Sequence, residues 1–227
     1  MKKRLSLVLV ICMVFSMAFT AKAAEEKSEN GIVTEFMTYE KIQSLFPDIP
    51  LREDGYVEGY GEILSNEFAN EEFNLSEPIE RYSAEYDGGK CELLIYENGM
   101  YGVVGVEKIE EDHSTMRNPG IGNYSGKYRT YYSFSMTGFF YTYNVDASGG
   151  YSIIKDLSNP TSEMTGADPY WTFQSGATAY VRAQQNGYLP ASVYGDGSFS
   201  YHNGGSAGFR LFTEVTNGNI SAYIQAL

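Results

Sequence analysis

Side chains that could attack a substrate or shuttle protons are scarce in this chain of 227 residues. It contains two histidines, His113 and His202, and the cysteines Cys12 and Cys91. Neither histidine lies near a nucleophile elbow or another catalytic signature. His113 follows acidic residues in a predicted linker and His202 lies in a glycine-rich turn, so both are expected to be solvated. The composition favours a non-catalytic protein and leaves enzymatic activity open.

Patterns for metals and nucleotides are missing as well. Zinc sites cluster several His and Cys ligands, and only His113, His202 and Cys91 remain after the predicted signal peptide. The acids at Asp146 and Asp196 do not match the spacing of the twelve-residue calcium loop. No glycine loop is followed by Lys and Ser/Thr in P-loop order. We predict no metal and no cofactor, although a carboxylate pair about 5–10 Å apart in space could still form a hydrolase site.

Aromatic side chains supply the remaining candidates for a functional surface. The chain has 20 tyrosines and one tryptophan. A tyrosine has an apolar face and a polar tip, so on a sheet surface it can stack on sugars or contact proteins. Tyr131, Tyr180 and Tyr223 lie on the polar-facing phase of predicted strands, and Trp171 precedes Tyr180. We predict these four as binding residues; the alternative is that they complete a core or cross-strand pairs.

The elements that would carry these residues are mostly strands. After residue 117 the chain is dense in aromatic and β-branched residues that alternate with polar ones, as in 127–134 and 139–146. Asn217-Gly218 between two alternating segments predicts a hairpin. About seven short strands without helical periodicity predict an antiparallel β-sandwich, or a small barrel, over residues 117–227.

The first half predicts a small acidic α+β region over residues 34–116. Apolar residues recur at helical intervals from Thr34 to Phe46, and Pro47 ends that run. Two glycine turns between alternating segments in 81–108 predict a three-stranded meander. A loss of periodicity in 110–124 places a domain boundary near residue 117. The overall fold class is therefore mainly β.

The N-terminus has the pattern of a secretory signal peptide. Basic residues precede an uncharged apolar run from Leu5 to Phe19, and a small-x-small site predicts cleavage between Ala23 and Ala24. Residues 1–23 are the predicted signal peptide and 24–33 a flexible leader. No later segment is apolar over the length of a membrane span, so no membrane association is expected after cleavage. We predict a secreted protein, extracellular or associated with the cell wall.

Charge is unevenly distributed. Residues 24–116 carry 23 acidic and six basic residues, whereas 117–227 carry six of each. Nucleic acid is a poor partner, because phosphate binding needs a basic surface. The acidity agrees with solubility outside the cell. We expect the partner to be a protein or a cell-surface glycan, and the sequence does not determine the oligomeric state.

The segment FFYTYNVDASGGYSIIKDLSNP, residues 139–160, carries a resemblance. It resembles small secreted proteins of Gram-positive Firmicutes that have a β-rich C-terminal domain of unknown function. There, an aromatic strand ending in valine-aspartate is followed by a turn and an isoleucine-rich strand. The resemblance covers about the last 100 residues, and it implies export and a sandwich-like fold. It brings no catalytic residue, and the acidic first half lies outside it.

Three functions remain open on these observations. The first is an exported, non-catalytic binding protein that acts at or outside the cell surface on a protein or a glycan. The second is a secreted hydrolase that uses carboxylates in a cleft. The third is a secreted inhibitor or immunity-type factor whose acidic half docks a basic partner. A flat aromatic strip would favour binding, and a cleft lined with acids of raised pKa would favour the hydrolase.

Overall fold

The computed structural model describes residues 37–59, 77–111, 124–146, 151–164, 171–202 and 204–227. They belong to one compact unit, Ile32–Leu227. The predicted signal peptide, its cleavage site, the leader, His113 and the predicted boundary near residue 117 lie outside the described residues.

Two antiparallel sheets and one short helix make up the described fold, which confirms the predicted mainly β class. The larger sheet has seven strands in the order β1-β2-β3-β4-β5-β6, with β7 also paired to β5. Its strands are β1 Glu80–Tyr86, β2 Gly89–Ile95, β3 Tyr101–Glu111, β4 Gly126–Phe134, β5 Thr137–Asp146, β6 Ile153–Lys155 and β7 Thr161–Met164. β3 pairs with β4, so strands from both halves of the sequence share this sheet.

The smaller sheet has four strands in the order β11-β10-β9-β8. These strands are β8 Trp171–Arg182, β9 Ala191–Tyr201, β10 Ser206–Thr216 and β11 Asn219–Ala226. β10 and β11 form the hairpin predicted at Asn217-Gly218. Both turn residues have positive φ, 49° and 83°, as a two-residue hairpin turn of the primed type requires.

The sandwich core lies between the two sheets, where alternate side chains of each face the other. The larger sheet contributes a ladder of rings that includes Tyr132, Phe134 and Phe139, and the smaller sheet contributes Phe199 and Phe209. These rings contact one another at centroid distances of 4.8–6.4 Å, within the range of favourable aromatic pairs. Large aromatic areas removed from water provide most of the driving force for sheet packing.

A second core covers the opposite face of the larger sheet. Helix α1, Tyr39–Leu45, and the chain that follows it bury this face with Ile42, Phe46, Leu51 and Val57. Sequence periodicity predicted a helix over 34–46, and the observed helix begins after the N-cap Thr38. The sheet residues beneath it are Cys91, Leu93, Ile95, Tyr101, Val103 and Tyr131.

Cys91 is a small buried hydrophobe in this second core. It is buried beneath the helix, and burial raises the pKa of its thiol to about 11. A thiol with a raised pKa is a poor nucleophile at neutral pH.

Candidate binding surface

The outer face of the smaller sheet carries three aromatic rings side by side. Because Val193, Leu211 and Ile224 point toward the sandwich, their sequence neighbours point outward. Phe212 of β10 lies directly opposite Tyr194 of β9 and Tyr223 of β11. We call Tyr194, Phe212 and Tyr223 the aromatic row.

Rings of the aromatic row pack on one another. The centroids of Phe212 and Tyr223 are 4.7 Å apart with ring planes at 14°, and those of Tyr194 and Phe212 are 5.8 Å apart at 53°. Two parallel rings this close must overlap face to face, because rings lying flat side by side on the sheet would be about 6–7 Å apart. The row therefore presents ring edges and tyrosine hydroxyls to solvent rather than broad open faces.

A bidentate ion pair lies beside the row and holds one end of it. Arg210 donates from Nε to Asp196 Oδ1 at 2.7 Å and from Nη2 to Asp196 Oδ2 at 2.8 Å. The guanidinium also lies 4.1 Å from the centroid of Tyr194, a cation–π contact. Arg210 and Asp196 are about one-third exposed, so the pair fixes side-chain positions more than it adds stability.

At the other end of the row, Tyr223 contacts the carboxylate of Glu214. The Tyr223 hydroxyl donates to Glu214 Oε1 at 3.5 Å. Partial burial, and then the negative charge of Glu214, raise the pKa of Tyr223. The main contacts of the smaller sheet with other described elements are made with the larger sheet, so the outer face is left to solvent.

Tyr180 and Tyr223 are the predicted binding residues that remain at the surface. Tyr223 is 40% exposed and belongs to the aromatic row. Tyr180 is 45% exposed, but its hydroxyl accepts a hydrogen bond from the backbone N–H of Leu157 at 3.3 Å. Tyr180 pairs with Val193, which faces the sandwich, and so lies on the other phase of the sheet from the row.

Tyr131 and Trp171 are buried, so the four predicted residues do not form one surface. Tyr131 is 1% exposed and lies in the core beneath α1, where its hydroxyl is 3.0 Å from that of Tyr86. Trp171 is 7% exposed and packs against Tyr201 and Phe134 in the sandwich core. The prediction that Tyr131 lies on a polar-facing phase is wrong, because a helix covers that face of the larger sheet.

Tyr194 and Phe212 were missed by sequence reasoning. The alternation of Phe209, Leu211, Thr213 and Val215 identifies the inward phase of β10, which leaves Phe212 on the outward phase. An aromatic residue on the polar phase of a strand was therefore visible in the sequence. The sequence did not show that Tyr194 and Tyr223 lie opposite Phe212 on the neighbouring strands, because strand order is not encoded locally.

Acidic residues meet an arginine on the helix-covered side of the larger sheet. Glu107 and Arg129 are direct cross-strand neighbours and form a buried ion pair, and Glu163 Oε2 lies 4.0 Å from Arg129 Nη1. Burial raises the pKa of Glu163 against the opposing effect of Arg129. A carboxyl with a raised pKa can donate a proton. Here the positive charge of Arg129 lies beside both carboxylates and offsets their negative charge. This arrangement fits a structural ion pair.

Within the described ranges, no cluster of three or more His, Cys, Asp and Glu is arranged to hold a metal ion. The two acids considered for calcium form ion pairs, Asp146 with Lys155 and Asp196 with Arg210. In that same part of the chain, no helix has the length and apolar character needed to cross a membrane.

No protein-family model and no curated protein matches this chain. Among solved structures, it is similar to the hypothetical protein lmo2686 from Listeria monocytogenes EGD-e, with 12% sequence identity and a TM-score of 0.35. The match covers 61% of this chain and 95% of that chain. A likeness at this level carries no functional information.

Proposed function

We propose that this protein is an exported, non-catalytic binding protein that acts at or outside the cell surface and contacts a protein ligand through the aromatic row. The observation that carries the proposal is the row itself. Three rings on adjacent strands form a packed, partly exposed row beside the bidentate Arg210–Asp196 pair. Aromatic residues and arginine are the types enriched at protein interfaces.

Ring orientation favours a protein over a glycan. A sugar stacks on an open aromatic face, yet Phe212 and Tyr223 cover each other's faces and Arg210 lies over Tyr194. Ring edges, hydroxyls and a guanidinium instead suit the mixed apolar and polar contacts of a protein surface. The pre-packed rings lose little side-chain entropy when they bind.

The test is co-sedimentation of the purified protein with Gram-positive cell walls, before and after surface proteins are stripped, at low and moderate salt. We expect binding to intact walls and its loss on stripping. The double variant Phe212→Ser/Tyr223→Ser should lose binding, because both rings of the stacked pair are removed. The matched control is Tyr188→Ser, since Tyr188 is fully exposed in a turn and makes no part of the row.

Binding that persists on stripped walls would identify a glycan ligand and overturn the assignment to protein. An absence of sedimentation under every condition would overturn a function at the cell wall. Equal binding by the parent and the double variant would exclude the aromatic row as the contact surface.

A further inference from the structure

Asn-Gly pairs have a chemistry of their own, because the backbone nitrogen that follows the asparagine can attack the carboxamide of its side chain. Glycine has no Cβ, so it leaves this nitrogen unshielded. The reaction is intramolecular and depends on how easily the two groups reach contact. Five such pairs occur in the sequence, and three lie wholly within the described residues: Asn98-Gly99, Asn186-Gly187 and Asn217-Gly218.

The pair Asn98-Gly99 is held at both reacting groups. Asn98 Oδ1 accepts a hydrogen bond from the backbone N–H of Met100 at 3.0 Å. The backbone N–H of Gly99 donates to the carbonyl oxygen of Tyr96 at 2.8 Å, and Gly99 is buried. Both hydrogen bonds must break before the nitrogen can reach the carboxamide, which slows the reaction.

The pair Asn217-Gly218 is held by a buried glutamine. Gln185 donates from Nε2 to Asn217 Oδ1 at 2.9 Å, and its Oε1 accepts from the backbone N–H of Asn217 at 3.1 Å. The ring of Tyr124 lies against Gly218, where an added methyl group would collide with it. The carboxamide is therefore restrained and the glycine is covered.

The pair Asn186-Gly187 lies at the exposed tip of the β8–β9 hairpin. Backbone hydrogen bonds run in both directions between Asn186 and Leu189 at 3.0 Å and close a turn whose central residues are Gly187 and Tyr188. The φ of 59° at Gly187 fits a type II′ turn, which has glycine first. Both residues of the pair are exposed, and no atom lies within 4 Å of the place where a Cβ of Gly187 would stand.

Structure thus separates three pairs that are chemically alike. Each asparagine must rotate its backbone before the ring can close. At Asn186 this rotation opens only the tip of an exposed hairpin, and loop tips open at low free-energy cost. At Asn98 and Asn217 the hydrogen bonds to the carboxamide must break as well. In the part of the chain that the structure describes, no hydrogen bond holds the carboxamide of Asn186.

We propose that Asn186 is a site of spontaneous deamidation in the folded protein. The nitrogen of Gly187 loses its proton to hydroxide and attacks Cγ of Asn186, so that a new C–N bond closes a succinimide ring. The Cγ–Nδ2 bond breaks, and the nitrogen leaves as ammonia after it takes up a proton. Water then opens the ring at one of its two carbonyls and yields aspartate or isoaspartate. No group is oxidised or reduced.

Deamidation changes both the charge and the backbone of the hairpin tip. Residues 171–195 contain no acid and one base, Arg182, so the product is the first carboxylate in this stretch. Isoaspartate also adds a methylene to the main chain, which shifts the backbone groups of residue 186 out of register with Leu189. We expect the turn that presents the fully exposed Tyr188 to open.

Timed incubation of the purified protein in mildly alkaline buffer, followed by peptide mass spectrometry, tests the proposal. We expect Asn186 to react about tenfold or more faster than Asn98 and Asn217. Mildly acidic buffer should slow the reaction, because the attacking nitrogen must lose its proton. In urea-unfolded protein the three pairs should react at similar rates, since only their common local sequence remains. Hydrogen exchange at the Leu189 amide should become faster as modification proceeds.

Two variants separate the local chemistry from its protection. Asn186→Gln lengthens the side chain by one bond, so it should stop modification at the hairpin tip and leave the rates at Asn98 and Asn217 unchanged. Gln185→Met keeps an unbranched side chain but removes the hydrogen bonds to Asn217. It should speed modification of Asn217 about fivefold, with circular dichroism to verify that this variant is folded.

Equal rates at the three pairs in the folded protein, or faster modification of Asn217 than of Asn186, would overturn the proposal. Modification of Asn186 that requires urea would overturn it too. Unchanged exchange at the Leu189 amide in fully modified protein would refute the opening of the tip. The reaction does not involve the aromatic row, so these outcomes are distinguishable from a failure of the proposed binding function.

Discussion

The buried pair of Glu107 and Arg129 offers a sharp test of whether the acids of the larger sheet serve structure or chemistry. The side chains are 3% and 10% exposed, and they lie directly opposite each other on β3 and β4. The guanidinium also lies 5.1 Å from the ring centroid of Phe140. Arg129→Met keeps an unbranched apolar stem and removes the charge, which leaves the Glu107 carboxylate buried without its ion-pair partner.

Removal of one partner from a buried pair costs about 3–5 kcal/mol, because the remaining charge stays desolvated. A domain of this kind has about 5–15 kcal/mol of stability in total. With a urea m-value of about 2 kcal/mol/M, the unfolding midpoint should fall by about 1.5–2.5 M. The double variant Glu107→Leu/Arg129→Met removes both charges, so it should recover most of that loss.

Urea unfolding followed by circular dichroism measures both variants against the parent. A loss below about 1 kcal/mol in Arg129→Met, or a double variant as unstable as the single one, would refute the structural role. Glu107 and the exposed Glu163 beside it would then return as candidates for the carboxylate hydrolase that the sequence left open.

Three further predictions concern the two cores and the β4–β5 turn. Burial raises the pKa of seven core tyrosines above the unfolded value near 10. Their contribution to stability is therefore fully present below pH 10 and falls above it by about 1.4 kcal/mol per pH unit for each one. They are Tyr86, Tyr96, Tyr101, Tyr131, Tyr132, Tyr141 and Tyr143. Tyrosinate absorbance should rise together with the loss of circular dichroism, and independent ionisation of the folded protein would contradict this. Thr213 Oγ1 lies 2.7 Å from the hydroxyls of both Tyr141 and Thr130 across the sandwich. Thr213→Val should therefore lower the free energy of unfolding, measured in urea, by about 1–3 kcal/mol. The control Thr172→Val, at an exposed position, should lower it much less. Met136 has a φ of 62° in the β4–β5 turn, so Met136→Gly should raise the free energy of unfolding by about 0.5–1 kcal/mol; a lower thermal midpoint would show that the methionine side chain matters more than its backbone strain.

The sequence by itself determined which residues share a face. Alternation along β2 separates Cys91, Leu93 and Ile95 from Leu94, and the structure places the first three beneath the helix and Leu94 in the sandwich core. The Asn217-Gly218 turn was also readable, because positive φ at two adjacent positions strongly favours these residue types. Such signals are local, since they depend on the two-residue period of a strand and on the backbone freedom of a turn.

What covers each face was decided only by the tertiary structure. Tyr131 and Tyr223 both lie opposite the sandwich-facing residues of their strands, yet α1 buries Tyr131 while Tyr223 stays 40% exposed. The aromatic row depends on β9, β10 and β11 being neighbours. A period of two specifies the side of a strand but carries no information about the neighbouring strand or the layer above it, because those follow from packing among distant segments.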